Sequence, residues 1–265
     1  MPTPTAKICH SITEIDAEKW DRCADGAGAY NPFARHAFLL ALEESGSVGR
    51  ETGWQPFHIA VEDGSTLLGV VPLYLKNHSQ GEYVFDYAWA DAWHRAGYNY
   101  YPKLQSSIPF TPATCPKLLC ADNSEEHQQL LLDACLQVAE QAKVSSLHMT
   151  FLPESQWTHA ADAGLLQRMD QQFHWHNAGY HSFEEFLQQL ASKKRKNLKR
   201  ERREALANGI EIDWLTGADL TEAHWDAFYQ FYLDTGSRKW GTPYLTRAFF
   251  SSVSATMADD ILLIM

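Results

Sequence analysis

Residues 57–75 read FHIAVEDGSTLLGVVPLYL, two runs of strand-forming residues joined by the turn sequence Glu62-Asp63-Gly64-Ser65. Asp-Gly between apolar runs is a strong short-range signal for a β-hairpin. We therefore predict strands over residues 57–61 and 67–75. Pro72 has no N–H to donate, so it indicates an edge position or a bulge in the second strand.

Stretches with helical periodicity surround this hairpin on both sides. Their apolar residues recur three or four positions apart, which is the spacing of one helix face. We predict helices over residues 13–24, 33–45, 124–142, 154–161, 221–234 and 245–257. Shorter apolar or alternating runs predict extended segments at 83–87, 103–108, 146–151, 171–177 and 210–215. This mixture predicts an α/β (α+β) fold, with domains at 1–160 and 161–265.

The composition argues against several classes of protein. The chain has 265 residues, 45% of them apolar, and carries 22 Lys and Arg against 33 Asp and Glu, for a net charge of −11. A general nucleic-acid binder is usually basic across a face. The five cysteines form no C-x-x-C pair, and no His pair has zinc spacing. Neither a disulfide scaffold nor a metal site is predicted.

The sequence also indicates neither a secretory leader nor a membrane span. The first residues, MPTPTAKICHSITEI, contain no apolar core of the kind that a signal peptide needs. No run approaches the roughly 18 apolar residues that cross a bilayer. We therefore expect a cytoplasmic protein with reduced thiols.

Residues 181–208 read HSFEEFLQQLASKKRKNLKRERREALAN and concentrate positive charge in this acidic chain. Ser182 can cap a helix with Glu185 three residues on, so we predict one helix over 182–208. Eight of the eleven residues from Lys193 to Arg203 are Lys or Arg. A solvated charged face is the ordinary explanation of such a run. A local site for an anion such as phosphate is the functional one.

Three cations of this stretch share one helix face. Lys196, Arg200 and Arg203 are spaced at i, i+4 and i+7, so their side chains project to the same side. Like charges at such spacing destabilise a helix by roughly 0.2–0.5 kcal/mol per pair, and a bound anion would relieve the repulsion. We predict that these residues bind phosphate, in a small ligand or in a nucleic-acid backbone.

Residues 88–112, AWADAWHRAGYNYYPKLQSSIPFTP, are dense in aromatic and turn residues without a persistent period. A loop this aromatic is unsuited to solvent and suits the wall of a pocket. We predict that a bound substrate contacts residues in and beyond this stretch, namely Trp89, Trp93, Tyr101, Lys103, Phe110 and Tyr232. For Tyr232, which belongs to an aromatic cluster around residues 236–244, packing is the alternative.

Two polar residues, His148 and Asp86, are candidates for a functional site. His148 lies in the run Ser-Leu-His-Met-Thr-Phe, between Leu147 and Met149. Because side chains alternate along a strand, burying those two neighbours turns His148 toward the other face. Asp86 lies two residues before the aromatic stretch, where it orients an amine substrate or caps a turn.

Motifs of several enzyme classes are absent. The sequence contains no G-x-S-x-G, H-E-x-x-H or G-x-x-x-x-G-K-[ST] pattern, which argues against the common serine hydrolases, zinc proteases and P-loop enzymes. The glycine-rich acyl-CoA loop of ordinary acetyltransferases, [QR]-x-x-G-x-[GA], is absent as well.

Eight short stretches nevertheless occur together in a familiar order. They are NPF at 31–33, GVVPLYLK at 69–76, EYVFDYAWADAW at 82–93, YYPKL at 100–104, PFTPAT at 109–114, QFHWHN at 172–177, KKRKNLKRER at 193–202 and WGTPYLT at 240–246. In this order the chain resembles the FemAB-like family of peptidoglycan biosynthesis/recognition proteins, a branch of the GNAT-type N-acyltransferases. The resemblance covers nearly the whole chain.

The resemblance implies two GNAT-like domains that face each other across a cleft. It also implies transfer of an acyl or aminoacyl group, from acyl-CoA or aminoacyl-tRNA, to a small-molecule or peptide amine. No covalent enzyme intermediate and no metal are implied. His148 and Asp86 are then the catalytic candidates, and Lys196, Arg200 and Arg203 bind the donor. The family pattern continues beyond residue 265, so we expect a second domain truncated at its C-terminus and an unpaired apolar run at 261–265.

A non-catalytic role is the main alternative. In that case residues 193–203 bind RNA or an anionic membrane surface, and no acyl transfer takes place. Aromatic platforms beside the basic segment favour RNA, whereas each Lys or Arg near an anionic membrane adds about 1 kcal/mol of attraction.

Overall fold

A computed structural model describes residues 4–239 and 241–265 of the chain. The contacts divide the chain into two compact units. The first unit contains the described residues up to Gln167 together with Thr216–Ile261, and the second contains Arg168–Leu215 and Leu262–Met265. The predicted domains, 1–160 and 161–265, divide the chain differently, because residues 216–261 return to the first unit. Their assignment as two GNAT-like domains stays a prediction.

Helices and strands alternate along the chain, as an α/β (α+β) fold requires. The strands are β1 (Thr5–Cys9), β2 (Trp54–Pro56), β3 (His58–Asp63), β4 (Thr66–Val71), β5 (Leu73–Lys76), β6 (Lys103–Ser106), β7 (Leu119–Cys120), β8 (Leu147–Met149), β9 (Trp214–Leu215) and β10 (Leu263–Ile264). The helices are α1 (Ala17–Gly26), α2 (His36–Glu44), α3 (Tyr87–Arg95), α4 (Glu125–Gln141), α5 (Glu154–Asp162), α6 (Phe183–Gln188), α7 (Ser192–Ala205), α8 (Glu222–Arg238) and α9 (Arg247–Met257).

The predicted hairpin is confirmed, and the second predicted strand, 67–75, is divided between two sheets. β3 and β4 pair antiparallel, with Asp63 opposite Thr66 and Gly64 at φ +60° in the turn. β4 lies in a four-stranded sheet of order β1-β3-β4-β7, here called sheet one. After Pro72 the chain continues as β5 in sheet two, of order β2-β5-β6-β8. Because proline donates no main-chain hydrogen bond, it marks the point where pairing with β3 ends.

Sheet two has one apolar and one polar face. Its strands β5, β6 and β8 read LYLK, KLQS and LHM, so apolar and polar residues alternate along each of them. β6 pairs antiparallel with β5 and parallel with β8. The apolar face joins the core of the first unit, through Leu73, Leu75, Leu104, Leu147 and Met149. α4 contributes Leu131, Cys135 and Val138 to the same core.

Helices α8 and α9 complete the first unit. The Phe249 ring of α9 lies 5.7 Å from that of Phe38 in α2, edge to face. The Thr246 hydroxyl donates to the Ser45 carbonyl at 3.0 Å, and the Thr246 N–H donates to the Ser47 hydroxyl at 3.1 Å. These contacts explain why residues 216–261 belong with residues that precede them by about two hundred positions.

Several element predictions need correction. Residues 83–87 do not form a strand, and the supposedly aperiodic aromatic stretch contains α3. The helix expected over 182–208 is two helices, α6 and α7, because Ala191 is extended and α7 starts afresh after it. The strand expected at 210–215 is limited to β9, and 171–177 has no regular structure. The apolar run 261–265 is not unpaired, since Ile264 of β10 pairs with Trp214 of β9.

In the described part of the chain, no helix combines the length and the apolar character that crossing a bilayer requires.

Candidate active site

The polar face of sheet two brings together residues from three strands. Lys76 of β5 is the register partner of Lys103 of β6, and Gln105 of β6 is the partner of His148 of β8. Register partners on neighbouring strands lie side by side on the same face. Two candidates from the sequence, Lys103 and His148, therefore share one face of one sheet.

A buried cluster of four charged groups lies at one end of this face. The Lys103 ammonium donates to Glu82 Oε2 at 2.7 Å and to Asp86 Oδ2 at 2.5 Å. Lys76 Nζ lies 3.8 Å from Glu82 Oε1 and 3.5 Å above the centre of the Trp54 ring. All four charged side chains are at least 98% buried. Two cations facing two carboxylates remove most of the penalty of burying an isolated charge.

Burial shifts the proton affinity of three members of this cluster. Loss of solvent lowers the pKa of Lys76 to about 7, although the Glu82 carboxylate opposes the change. Loss of solvent likewise raises the pKa of Glu82 above its usual value, against the charge of Lys103. Burial alone would raise the pKa of Asp86 too. There, hydrogen bonds from Lys103, Ser79 and Tyr100 together with the Lys103 charge prevail, and the pKa falls below its usual value.

Tyr100 connects the ion cluster to His148. Its hydroxyl donates to Asp86 Oδ2 at 2.8 Å, and its oxygen lies 3.2 Å from His148 Nε2. Burial and the Asp86 hydrogen bond raise the pKa of Tyr100 far above its usual value, so the phenol keeps its proton at neutral pH. The Ser146 hydroxyl lies 2.9 Å from the same His148 nitrogen.

The Tyr100 contact favours one tautomer of His148, whereas the Ser146 hydroxyl can donate to the same nitrogen or accept from it. The single Tyr100 proton is committed to Asp86, so the phenol oxygen can only accept from the imidazole. A proton on His148 Nε2 makes that contact a hydrogen bond, whereas a bare nitrogen would face an oxygen lone pair. The Nε2–H tautomer leaves Nδ1 as the basic nitrogen. Asp86 is thus linked to His148 through the Tyr100 hydroxyl.

Aromatic rings on α3 border this chain of contacts. The Trp89 ring lies 6.0 Å from the His148 ring, and the Trp93 ring lies 6.3 Å from that of Tyr100. Trp89 and Trp93 are 45% and 39% exposed, and no residue of α3 is buried. His148 itself is only partly buried. These rings are therefore available to a ligand that approaches His148.

The other residues predicted to contact the substrate lie in separate groups. The Tyr101 hydroxyl is within 2.8 Å of the Ser79 hydroxyl, and its ring packs edge-on to Tyr100 at 5.1 Å. Lys103 is fully buried and lies beneath the site, not on a cleft wall as the sequence suggested. Its ammonium is occupied by the carboxylates of Glu82 and Asp86.

Phe110 and Tyr232 meet in a second aromatic group, centred on Tyr244. The Phe110 ring stacks on the Tyr244 ring at 4.8 Å and also packs against Trp54. The Tyr232 hydroxyl accepts from the N–H groups of Tyr244 and Leu245 at 2.9 and 3.1 Å. For Tyr232 this is the packing role left open by the sequence. Trp240, from the same predicted cluster, lies outside the described residues.

Six of the eight cations of α7 form two sets of three. Three of them contact α6, because Lys199 pairs with Glu184 at 2.7 Å, Arg202 lies 4.2 Å over the Phe183 ring and Arg195 donates to the Gln188 carbonyl at 3.4 Å. The predicted donor-binding set, Lys196, Arg200 and Arg203, lies one position further along and is thus rotated by about 100°. All three are exposed, and Arg200 has a loose ion pair with Glu204 at 3.7 Å.

Sequence reasoning missed four residues of the polar face and its ion cluster: Lys76, Glu82, Tyr100 and Gln105. The alternation in LYLK and KLQS was a usable signal for Lys76 and Gln105. No sequence pattern indicated Glu82 or Tyr100, because their roles depend on contacts that only the folded chain creates. Within the described ranges, no group of three or more His, Cys, Asp or Glu could hold a metal ion.

Comparison with known proteins identifies the family. Residues 11–265 match the FemAB-like family, described as peptidoglycan biosynthesis/recognition. The match covers almost the whole chain, and the protein belongs to this family. The resemblance drawn from the eight short stretches is confirmed.

Two solved structures are similar to this chain. One is FemX, with a TM-score of 0.46 and 12% identity over 97% of this chain and 57% of FemX. The other is a mutant of a Thermus thermophilus protein, TTHA1254, with a TM-score of 0.34 and 14% identity over 66% of this chain and 99% of that one. This chain thus spans 57% of the length of FemX. No curated protein matches it.

Proposed function

We propose that the protein is an N-acyltransferase that moves an acyl or aminoacyl group from a phosphate-bearing donor to an amine. The linked contacts from Asp86 through Tyr100 to His148 carry this proposal. They supply an oriented imidazole next to partly exposed aromatic rings, on the face of a sheet. Membership of the FemAB-like family is consistent with transferase chemistry in peptidoglycan synthesis.

The chemistry proceeds by direct attack. The acceptor amine forms a bond to the acyl carbon, and His148 Nδ1 takes the proton that the amine nitrogen must lose. The bond from the acyl carbon to the donor sulfur or oxygen then breaks, and the imidazolium returns the proton to that leaving atom. A positioned general base of this kind contributes about 10²- to 10⁴-fold to the rate.

Asp86 acts in this scheme as a positioning residue. Its low pKa and its hydrogen bonds with Lys103 and Tyr100 make the carboxylate a poor proton acceptor at neutral pH. Its negative charge instead stabilises the imidazolium through the Tyr100 hydroxyl. Lys103, on the same sheet face, holds Asp86 in place by donating to its carboxylate. The acceptor side chain then contacts Trp89, Trp93 and Tyr101, with Phe110 and Tyr232 supporting the neighbouring aromatic group.

The donor is proposed to bind through its phosphates. Acyl-CoA and aminoacyl-tRNA share this chemistry, and Lys196, Arg200 and Arg203 present three exposed cations along one helix face. Charge-assisted hydrogen bonds to phosphate are worth roughly 1.5–3 kcal/mol each when desolvated. A tRNA would engage more of these cations than CoA, because its backbone carries a phosphate at every nucleotide.

RNA binding without catalysis is the second candidate, and one observation favours it. The aromatic rings of the second unit lie next to the basic helix, with Arg202 over Phe183 and Trp175 packed edge-on against Phe186 at 5.9 Å. Trp175 is 65% exposed. Exposed rings beside a basic helix suit stacking with unpaired bases.

A donor screen tests the proposal. The protein is incubated with a set of amines and either acyl-CoA thioesters or aminoacyl-tRNAs, and mass spectrometry detects acylated amine. We expect product with one donor class and its loss, by about 100-fold or more, in His148→Ala. His127→Ala is the control, because the His127 ring contacts Asp122 at 3.0 Å and none of the residues of the candidate site is its partner in that contact. RNA binding without any transfer product would favour the second candidate.

A further inference from the structure

Gln105 is a buried side chain with one end unused. It is 0% exposed, and its Nε2 donates to the Thr150 hydroxyl at 3.1 Å. Among the described residues, its Oε1 has no hydrogen-bond partner. Exchanging the amide nitrogen and oxygen would still leave one end of the side chain without a partner, because the Thr150 hydroxyl can bond only one of them. A buried acceptor without a donor costs about 1–3 kcal/mol, so a fold that keeps one needs an explanation.

Gln105 lies on the same face of sheet two as His148. Gln105 and His148 are register partners on the parallel strands β6 and β8. Their Cα atoms are therefore about 4.8 Å apart and their side chains project the same way. Gln105 also follows Lys103 by two residues, so it continues the row of polar groups that leads from the ion cluster.

A second buried glutamine in the first unit shows the contrast. Gln156 is 2% exposed, and its Oε1 accepts from the N–H groups of Lys117 and Leu118 at 2.8 and 3.2 Å. Its Nε2 donates to the Leu118 carbonyl at 2.7 Å. Both ends of Gln156 are occupied by the main chain, which is the pattern of a purely structural residue.

We infer that Gln105 Oε1 accepts an N–H hydrogen bond from the acceptor substrate and thereby selects amines over alcohols. The inference rests on the proposed acyl transfer and adds a specificity determinant to it. A neutral primary amine has two hydrogens on its nitrogen. One goes to His148 as the new bond forms, and the other satisfies Gln105 Oε1.

An alcohol cannot make both contacts. Its oxygen carries a single hydrogen, which the base must take, so Gln105 Oε1 stays buried and unpaired. A site built to bond a substrate hydrogen rejects the analogue that lacks it, because the polar group of the site is left without a partner. The penalty for one such acceptor corresponds to a preference for the amine of about 10- to 100-fold.

The experiment compares two small probes that differ at one atom, glycinamide and glycolamide. Their binding to the full-length protein is measured by ligand-observed NMR, at a pH above the pKa of the amine. We expect the wild-type protein to bind glycinamide about 10-fold or more tightly than glycolamide. Gln105→Met, which keeps the side-chain length but has no acceptor, should remove the preference. Gln105→Glu, which keeps an acceptor oxygen, should retain it.

Controls separate this role from packing. Gln156→Met should lower the urea midpoint of unfolding and leave the preference of the folded protein unchanged. If Gln105→Met fails to fold, the pair Gln105→Met with Thr150→Val removes both partners of the internal bond and replaces it in the test. Equal binding of the two probes to wild type, or a preference that survives Gln105→Met, would overturn the inference.

The outcome for the proposed function is read separately. A Gln105-dependent preference without any acyl transfer in the donor screen would contradict the proposed function and leave the amine site standing. If acyl transfer is detected but the preference for glycinamide does not depend on Gln105, the proposed function stands and the inference about Gln105 is contradicted.

Discussion

At the scale of single residues, the most informative side chains are the buried lysines. Lysine is almost never fully buried unless it is paired, yet Lys76 and Lys103 are both 0% exposed and are neighbours on adjacent strands. Their partners Glu82 and Asp86 come from the segment that follows β5. The acidic pair thus fixes the start of α3 on the polar face of sheet two.

Lys76 should make stability depend on pH just above neutrality. Its pKa falls from 10.5 in the unfolded chain to about 7 in the folded one. Between these values the unfolded chain binds the extra proton, so stability rises as pH increases. From pH 7 to 8.5 the gain amounts to about 1.5 kcal/mol. Lys76→Met removes the titrating group and should flatten this rise.

Urea unfolding of both proteins at several pH values from 7 to 8.5 measures the difference. The range stops there because burial raises the pKa of Cys23 to about 11 and those of Cys120 and Cys135 to about 12, and their unfolded thiols titrate from about pH 9. Parallel curves for the wild type and Lys76→Met would show that Lys76 stays charged in the folded protein.

The Tyr100 hydroxyl should matter for rate more than for binding. Tyr100→Phe keeps the ring but removes the link between Asp86 and His148. With a donor and amine found in the screen, we expect kcat to fall roughly 10-fold or more and KM to change little, since the link orients the base. Tyr98→Phe is the control, because Tyr98 is 63% exposed. An unchanged kcat in Tyr100→Phe would remove Tyr100 from the mechanism.

At the scale of elements, helix α7 offers two pairs of cations whose removal can be compared. Lys196→Ala with Arg203→Ala removes two exposed cations, whereas Lys199→Ala with Arg202→Ala removes two that contact α6. Both variants lose the same charge. If phosphate binds the exposed face, the first pair should weaken binding of CoA or a short single-stranded RNA at least 10-fold. The second should mainly lower the stability of the α6–α7 contact.

Salt dependence then distinguishes the two phosphate ligands. RNA binding should give a steep fall of log affinity with log salt, and CoA a shallow one. Equal binding by the two double variants, at either salt concentration, would show that α7 is a solvated charged surface. Isothermal titration at two salt concentrations supplies both comparisons.

The elements also show what the sequence can and cannot predict. The hairpin β3–β4 and helix α4 follow from local signals, an Asp-Gly turn and a long apolar stripe. The strand predicted over 67–75 is continuous in sequence but divided in space, because partner strands decide the sheet to which each half belongs. The break between α6 and α7 was hidden for a similar reason, since the residues around Ala191 fit a helix pattern and only packing ends α6 there.

The candidate site could likewise be predicted from the sequence only in part. Asp86 and His148 were identified from their position beside aromatic or alternating residues, and the structure joins them through Tyr100. Nothing in the sequence distinguishes Tyr100 from Tyr101 next to it. The hydroxyl of one faces Asp86 and that of the other faces Ser79, a difference created by strand direction and packing.

At the scale of the whole molecule, the first unit is assembled from two distant parts of the chain. Phe249 is 5% exposed and packs against α2, which lies within the predicted domain 1–160. Phe249→Ala should lower the unfolding free energy by about 3–5 kcal/mol. It should also speed hydrogen exchange in residues 36–44.

Phe173→Ala is the matched control, because Phe173 is 90% exposed and the same change there should cost less than about 0.5 kcal/mol. Urea unfolding and hydrogen-exchange mass spectrometry measure both effects. If Phe249→Ala leaves exchange in residues 36–44 unchanged, the division at residue 160 describes the folding units better than the contacts do.

The parallel pairing of β6 with β8 implies an order of assembly. The β3–β4 hairpin closes across a two-residue turn, whereas β7 and α4 lie between β6 and β8 in the sequence. Closing that long intervening loop is unfavourable until the contacts form, so such pairings come late in folding. The approach of His148 to Tyr100 depends on this pairing. During refolding, most of the secondary structure should therefore return before the proposed acyl transfer does, and a partly assembled chain should give no product in the donor screen.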